Sequence, residues 1–305
     1  MCRLCPDLPR SNTLRQWGAG AQGSLRLRGQ WCDLLGSTVC RRGSGMTLVE
    51  TLLAMAVLVM VAAALAGLAN AVQMHSQHVE GCGLATQHAR VALARIERTV
   101  REATANESFP GFLVIEEYVA SWRFPDTLVI WHPPAGKSAA DPKGLPRFSE
   151  LVLYYPNPQQ PSQLVEATLP GYDQPVPPVD NPGAWASAIA GIKKSSSTQL
   201  VVLTDRLRTC YVSNSASGAS RGAVRFESRL RPSAEQWNAY RAGTLPWAKL
   251  PWVQGMGGSR TGLRQAWLRI ELQLVSQAAR GSGGLEVATA IPFFGSAAVY
   301  YEMHR

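Results

Sequence analysis

The sequence predicts an α+β protein: a long N-terminal helix, membrane-spanning in its first half and amphipathic in its second, packed on an antiparallel β-sheet. Three observations carry this reading. Leu52–Ala69 is an 18-residue run without a charged side chain. Gln87–Ala103 carries an apolar stripe at helical spacing. After Pro110 the pattern changes to short strand-like runs separated by turn residues. A one-sided apolar helix needs a cover, and the later strands supply it.

Composition sets the outer bounds. Of 305 residues, 46% are hydrophobic and 17% charged, which suits a folded chain with ample length for a core. The net charge of +9 and the sequence pI near 9.5 are unevenly distributed. Residues 1–45 hold seven Arg and two Asp, a net +5 that leaves +4 for all the rest. That mild remainder gives no argument by itself for nucleic acid. Residues 1–45 mix Arg, Gly, Ser and Leu without periodicity and read as a basic leader to be cleaved. The next Met after Met1 is Met46, so a shorter leader needs a non-Met start, for example at Val39. Cys2, Cys5, Cys32 and Cys40 also lie here. They lack a closing His/Cys pair at finger spacing, so a discarded segment is favoured over a zinc site.

The charge-free run, at about 1.5 Å per residue, spans about 27 Å and matches a bilayer core. A transmembrane segment is expected at about 48–70, inside a helix covering 46–106. Arg41 and Arg42 precede it, which keeps the leader cytoplasmic and sends everything C-terminal across the membrane. Ala89, Ala92, Leu93, Ile96, Val100 and Ala103 form the stripe, and Arg90, Arg95, Glu97, Arg98, Arg101 and Glu102 fill the opposite face. Gly81 and Gly83 each cost about 1 kcal/mol relative to Ala, which predicts a bend. Asn106 and Pro110 end the helix.

Residues 107–305 are expected to form a β-rich extracytoplasmic domain. Strand candidates are Phe112–Val119, Thr127–His132, Glu150–Tyr155, Gln199–Thr204, Thr209–Ser213, Ala223–Phe226, Trp267–Val275, Leu285–Ile291 and Ala297–Tyr301. Pro156–Ala186 is rich in Pro, Gly, Asn and Gln and reads as a long surface loop. Ser233 and Gln236 form a capping-box pattern that opens a short helix through Tyr240.

Gly45-Met46-Thr47-Leu48-Val49-Glu50, with Arg41-Arg42 before it and the apolar run after it, resembles the cleavage and methylation motif of type IV pilin-like proteins. The resemblance is strong over residues 41–70 and matches the remainder only in outline. It implies that a membrane aspartyl peptidase, the prepilin peptidase, cuts between Gly45 and Met46 and methylates the new Met46 amine. Met stands where the family most often has Phe. Gly45, lacking a Cβ, allows close approach of a protease to the backbone. A carboxylate costs roughly 2.5–3.5 kcal/mol at the centre of a membrane helix on insertion scales, so Glu50 needs a reason to be there. The resemblance supplies one: pairing with the Met46 amine of a neighbouring pilin or pseudopilin subunit. The competing account is an interfacial Glu that stays solvated. Size and outline are similar to minor pilins and pseudopilins, with J-type pseudopilins of type II secretion and W-type minor pilins as the nearest analogies.

Other motifs compete with this one. Gly218-Ala219-Ser220-Arg221-Gly222 matches the G-x-S-x-G elbow, but its polar surroundings suit a flexible loop and not a strand-to-helix turn. His75, His78 and His88 lack a completing carboxylate, so interfacial polar residues are favoured over a metal. Cys82 and Cys210 fall in an oxidising compartment and either form a disulfide or remain two thiols. Of the dispersed Trp residues, Trp247 and Trp252 with Lys249, Arg260 and Arg264 are the best candidate surface for single-stranded nucleic acid. Core packing is the commoner role for Trp. The sequence thus predicts a structural, assembling subunit without enzymatic activity, cofactor or metal. The alternatives are a DNA-binding minor pilin of a DNA-uptake pilus and a single-pass, membrane-anchored periplasmic binding protein.

Overall fold

A computed structural model describes residues 46–119, 122–212, 219–276 and 290–305. The leader, with Gly45 and its four Cys, lies outside these residues, as do Ser213–Gly218 and most of the expected strand Leu285–Ile291. The chain divides into two units, residues up to Ala63 and Ala64–Arg305. The first unit carries the start of helix α1 (Leu48–Arg101), and the second carries its remainder and every strand. From Ala64 onward the helix therefore belongs with the β-rich part as one compact unit.

Helix α1 runs without a break through Gly81-Cys82-Gly83. The reason for a Gly here is clearance. A Cβ on Gly81 would sit 2.6 Å from the Ser276 carbonyl oxygen, so only Gly lets α1 pass so close to that backbone. Gly81 is also the first buried residue of the helix, followed by Ala85, Ala89, Ala92, Ile96, Thr99 and Val100. This is the expected stripe, extended by about two turns toward the N-terminus.

Ten strands follow. β1 (Phe112–Val119), β2 (Trp122–Trp131), β3 (Leu151–Pro156), β4 (Leu164–Thr168) and β5 (Gln199–Thr204) form a five-stranded antiparallel meander in chain order. β6 (Thr209–Val212) and β7 (Ala219–Gly222) make a separate two-stranded ribbon. β8 (Val224–Arg231), β9 (Thr261–Val275) and β10 (Ala290–His304) make a three-stranded sheet in the order β10-β9-β8. The architecture is α+β, with two larger sheets in place of the single one expected.

The five-stranded sheet is covered on both faces, which explains why β3 reads Leu-Val-Leu-Tyr-Tyr-Pro with every residue buried. Leu128, Ile130, Val152, Tyr154 and Leu164 face a core shared with α1 and with Leu268, Ile270, Leu272 and Leu274 of β9. Val129, Trp131, Leu153, Tyr155 and Val165 face a second core with Trp185, Ile189 and Ile192 of helix α2 (Pro182–Lys194). Both β4 and α2 fall in or beyond the stretch expected to be surface loop. β4 is a short, buried inner strand, and α2 is opened by Asn181, whose side chain accepts from the Ala184 N–H at 3.1 Å. Helix α3 (Ala234–Arg241) begins at Ser233 with the full capping box to Gln236, as expected.

One buried polar cluster joins α1 to the meander. Arg95 donates from Nε and Nη2 to the two Glu166 oxygens at 2.8 and 2.9 Å. Glu166 also accepts from the Tyr154 hydroxyl at 2.9 Å, and Tyr154 meets Thr99 Oγ1 at 2.9 Å. Arg95 keeps the solvent side assigned to it by helical spacing, with its side chain 52% exposed, and reaches the buried Glu166 from there. The paired guanidinium holds the Glu166 carboxyl below the usual carboxylate range, against the opposing effect of burial. Burial raises the Tyr154 phenol well above its ordinary value.

Because the Glu166 pKa is depressed on folding, its contribution to stability is present above the unfolded value, about 4.3, and is lost as pH falls through the lower folded value. Glu166→Gln is expected to cost about 1–3 kcal/mol, since Arg95 is half-exposed and regains water. It should also remove part of the acid-induced loss of stability that the unaltered chain shows. Thermal unfolding of the full chain in detergent between pH 3 and 7 checks both, and equal acid sensitivity of the two proteins would contradict the assignment.

Candidate functional site

The start of α1 is the candidate site. Thr47 precedes the first helical residue, and its Oγ1 accepts from the Glu50 N–H at 3.3 Å while its carbonyl accepts from the Thr51 N–H at 3.2 Å. Thr47 is therefore the N-cap and Glu50 the third helical residue, a Thr-x-x-Glu capping-box spacing. The Thr47 half of that box is made. Among the described residues the Glu50 carboxylate has no partner, and both Met46 and Glu50 are exposed. The first turn of a helix, with its unpaired backbone N–H groups, is a favourable place for an acidic side chain. The capping role of Thr47 was legible as Thr-Leu-Val-Glu and is the element the sequence reading lacked.

From Leu48 to Glu80 no side chain of α1 is buried, although the stretch is rich in Leu, Val, Met and Ala. Leu48 is 76% exposed and Met60 68%. An apolar surface of this kind needs a non-aqueous surrounding or apolar neighbours. The helix is long and apolar enough to cross a membrane and fits a membrane anchor.

The competing sites fare differently. Cys82 and Cys210 are both free thiols and are not brought together in a bridge: Cys82 lies 3.6 Å from His78 Nε2 on α1, and Cys210 is exposed on β6, which is a ribbon strand and not a central one. His88 Nδ1 meets Thr204 Oγ1 at 3.2 Å, docking α1 on β5. Among the described residues no group of three His, Cys, Asp or Glu could hold a metal ion. Ser220 of the G-x-S-x-G run sits on β7, a strand paired with β6 and not the expected loop, and no described His or carboxylate bonds its hydroxyl.

Trp247 and Trp252 are buried, with Trp237 packed edge-on against both and Tyr240 edge-on to Trp247. Trp247 and Trp252 lie 4.6 Å apart between ring centroids. Trp252 lies against Gly257 and Gly262, where any Cβ would collide with its ring. Arg264 is itself buried over Trp237, 5.6 Å from the ring. These rings are spent on the core and offer no free stacking face to a base.

A cleft of about 720 Å³ lies between β1, α2, the β6–β7 ribbon and the Pro156–Pro161 turn. Its floor is a charge cluster. Lys193 and Arg221 both pair with Glu117, Arg221 reaches Asp126 at 3.4 Å, and Lys193 donates to Thr127 Oγ1 at 2.8 Å. Burial opposes ionisation of Glu117, but Lys193 and Arg221 outweigh it and lower its pKa. Burial raises the Asp126 carboxyl. The cluster is internally neutralised and ties α2 and the ribbon to β1 and β2.

The chain matches no protein-family model, no curated protein and no solved structure. The start of α1 therefore has to be judged on its own chemistry.

Arg at the middle of the exposed apolar stretch tests the anchor. Each Arg costs about 2.5–3.5 kcal/mol at the centre of a spanning helix on insertion scales. Leu58→Arg with Met60→Arg is expected to move most of the chain out of the carbonate-resistant membrane fraction. Unchanged retention would show that α1 is not the anchor.

Proposed function

We propose that this chain is a pilin-like structural subunit, a minor pilin or pseudopilin of a type IV pilus or type II secretion pseudopilus. Prepilin peptidase removes residues 1–45 by cutting between Gly45 and Met46 and methylates the Met46 amine. The mature chain sits in the inner membrane as a single-pass protein with its β-rich part on the far side, and enters a filament through the N-terminal half of α1. In this reading the protein is an assembling element and not an enzyme.

One observation carries the proposal. Glu50, the fifth residue after Gly45, is a carboxylate without a described partner, in the first turn of a helix whose flanks are otherwise apolar and exposed. Such a charge is costly in lipid unless it is paired, and the Met46 amine of a neighbouring copy or related subunit is a cation of the right sign at the matching depth. Support for the outline comes from the second half of α1, whose small-residue stripe lies against antiparallel sheet.

Glu50→Ala is expected to leave processing at Gly45 intact and to lower the amount of the chain in sheared or detergent-extracted filaments at least tenfold. Glu50→Asp should recover part of that loss. Filament incorporation of Glu50→Ala at the unaltered level would remove the pairing role and favour a membrane-anchored periplasmic binding protein.

A further inference from the structure

We infer that the cleft between β1, α2, the β6–β7 ribbon and the Pro156–Pro161 turn binds a small amphiphilic carboxylate. Arg221 and Lys194 receive the carboxylate, and the walls receive the apolar body. The volume, about 720 Å³, is that of a small-molecule site. One wall is Pro156, Pro158 and Pro161; the other is Ala186 and Ala190, whose short side chains leave room between them.

The backbone is shaped around this space. Successive strand residues point to opposite faces, yet Glu116, Glu117 and Tyr118 all line the cleft. A break in register between Ile115 and Glu117 re-aims β1 at this point, as bulges beside binding sites do. Across the cleft, a Cβ on Gly222 would lie 2.4 Å from the Pro161 carbonyl oxygen, so β7 sits directly against the turn.

The charges leave one cation over. Lys193 and Arg221 balance Glu117 and Asp126, and Arg123 pairs with Glu116 at 2.7 Å. Lys194 is exposed, lines the cleft and has no partner among the described residues. Arg221 spends only Nη1 on the cluster, donating from it to Glu117 Oε2 at 2.6 Å and to Asp126 Oδ2 at 3.4 Å. Its Nε and Nη2 donate to no described residue. Those two N–H groups form the edge of a guanidinium that holds a carboxylate with two parallel hydrogen bonds. The Phe124 ring, 5.7 Å from Arg221 Cζ, fixes the plane of that edge. Both Glu117 oxygens are already taken, by Lys193 and Arg221, so the groups left for a ligand are cationic. A single excess charge suits a monoanion, and the proline and alanine walls suit an apolar body attached to it. The cleft belongs to the unit from Ala64 onward and Met46 and Glu50 to the other, so the site stands whether or not the chain enters a filament.

Equilibrium binding to the full chain in lipid nanodiscs tests the site. The probes are phenylpropionate and the acetylated dipeptide alanyl-phenylalanine, each compared with its primary amide. At least one acid is expected to bind at least tenfold more tightly than its amide. Tighter binding of the dipeptide would identify a peptide C-terminus as the source of the carboxylate, and tighter binding of phenylpropionate a free organic acid. Lys194→Glu, a surface change, should weaken the acid at least tenfold and leave the amide unaffected. Ala190→Trp, which fills the cleft from α2, should abolish binding of both. No saturable binding of either acid, equal binding of acid and amide, or an unchanged acid affinity in Lys194→Glu or in Ala190→Trp would each overturn the site.

Discussion

The contact on which the β-rich unit depends is the carboxylate of Glu166 held between Arg95 and Tyr154. It sits on β4, an inner strand, and its partners come from α1 and β3. A buried carboxylate left without partners costs more than a missing apolar contact, so this group admits one placement of α1 on the sheet. Hydrophobic burial supplies most of the drive, through the Ala85, Ala89, Ala92 and Ile96 stripe against β2, β3 and β9. Small residues in that stripe are interchangeable along the helix, and the fork of Arg95 on Glu166 is what selects the register.

Seen this way, α1 answers to two environments. Its second half is one-sided because a sheet covers one side. Its first half is apolar all round, with no described side chain from Leu48 to Glu80 buried. Glu50 is the acidic residue of its first turn, placed there by the N-cap that Thr47 makes, and its carboxylate has no partner among the described residues. The proposed role in filament assembly follows from that open charge.

Much of the fold was legible in the sequence where local signals are strong. The β5 strand and the Ser233–Gln236 cap match the expectation, and alternation at Leu268, Ile270, Leu272 and Leu274 marks the buried face of β9. What failed did so for physical reasons. β4 is five residues long and flanked by Pro, Gly and Gln, so turn chemistry on either side masked a strand whose burial comes from two covering layers. The ion pair of Arg95 was not legible because its partner is 71 positions away. The clearance that calls for Gly81 was not legible because only tertiary structure reveals Ser276 beside it. The core role favoured for the Trp residues holds for Trp247 and Trp252, which are buried against each other.

Of the site, Met46 and Glu50 were legible as residues, and the Thr47 cap that positions Glu50 was not recognised. The central claim is that this helix start is created by a cut and a methyl transfer. Mass spectrometry of the N-terminal peptide from the chain isolated out of its own membranes measures this directly. The account predicts a terminus at Met46 carrying one methyl group on its amine; a terminus elsewhere, or an uncut segment reaching through Gly45, would contradict it.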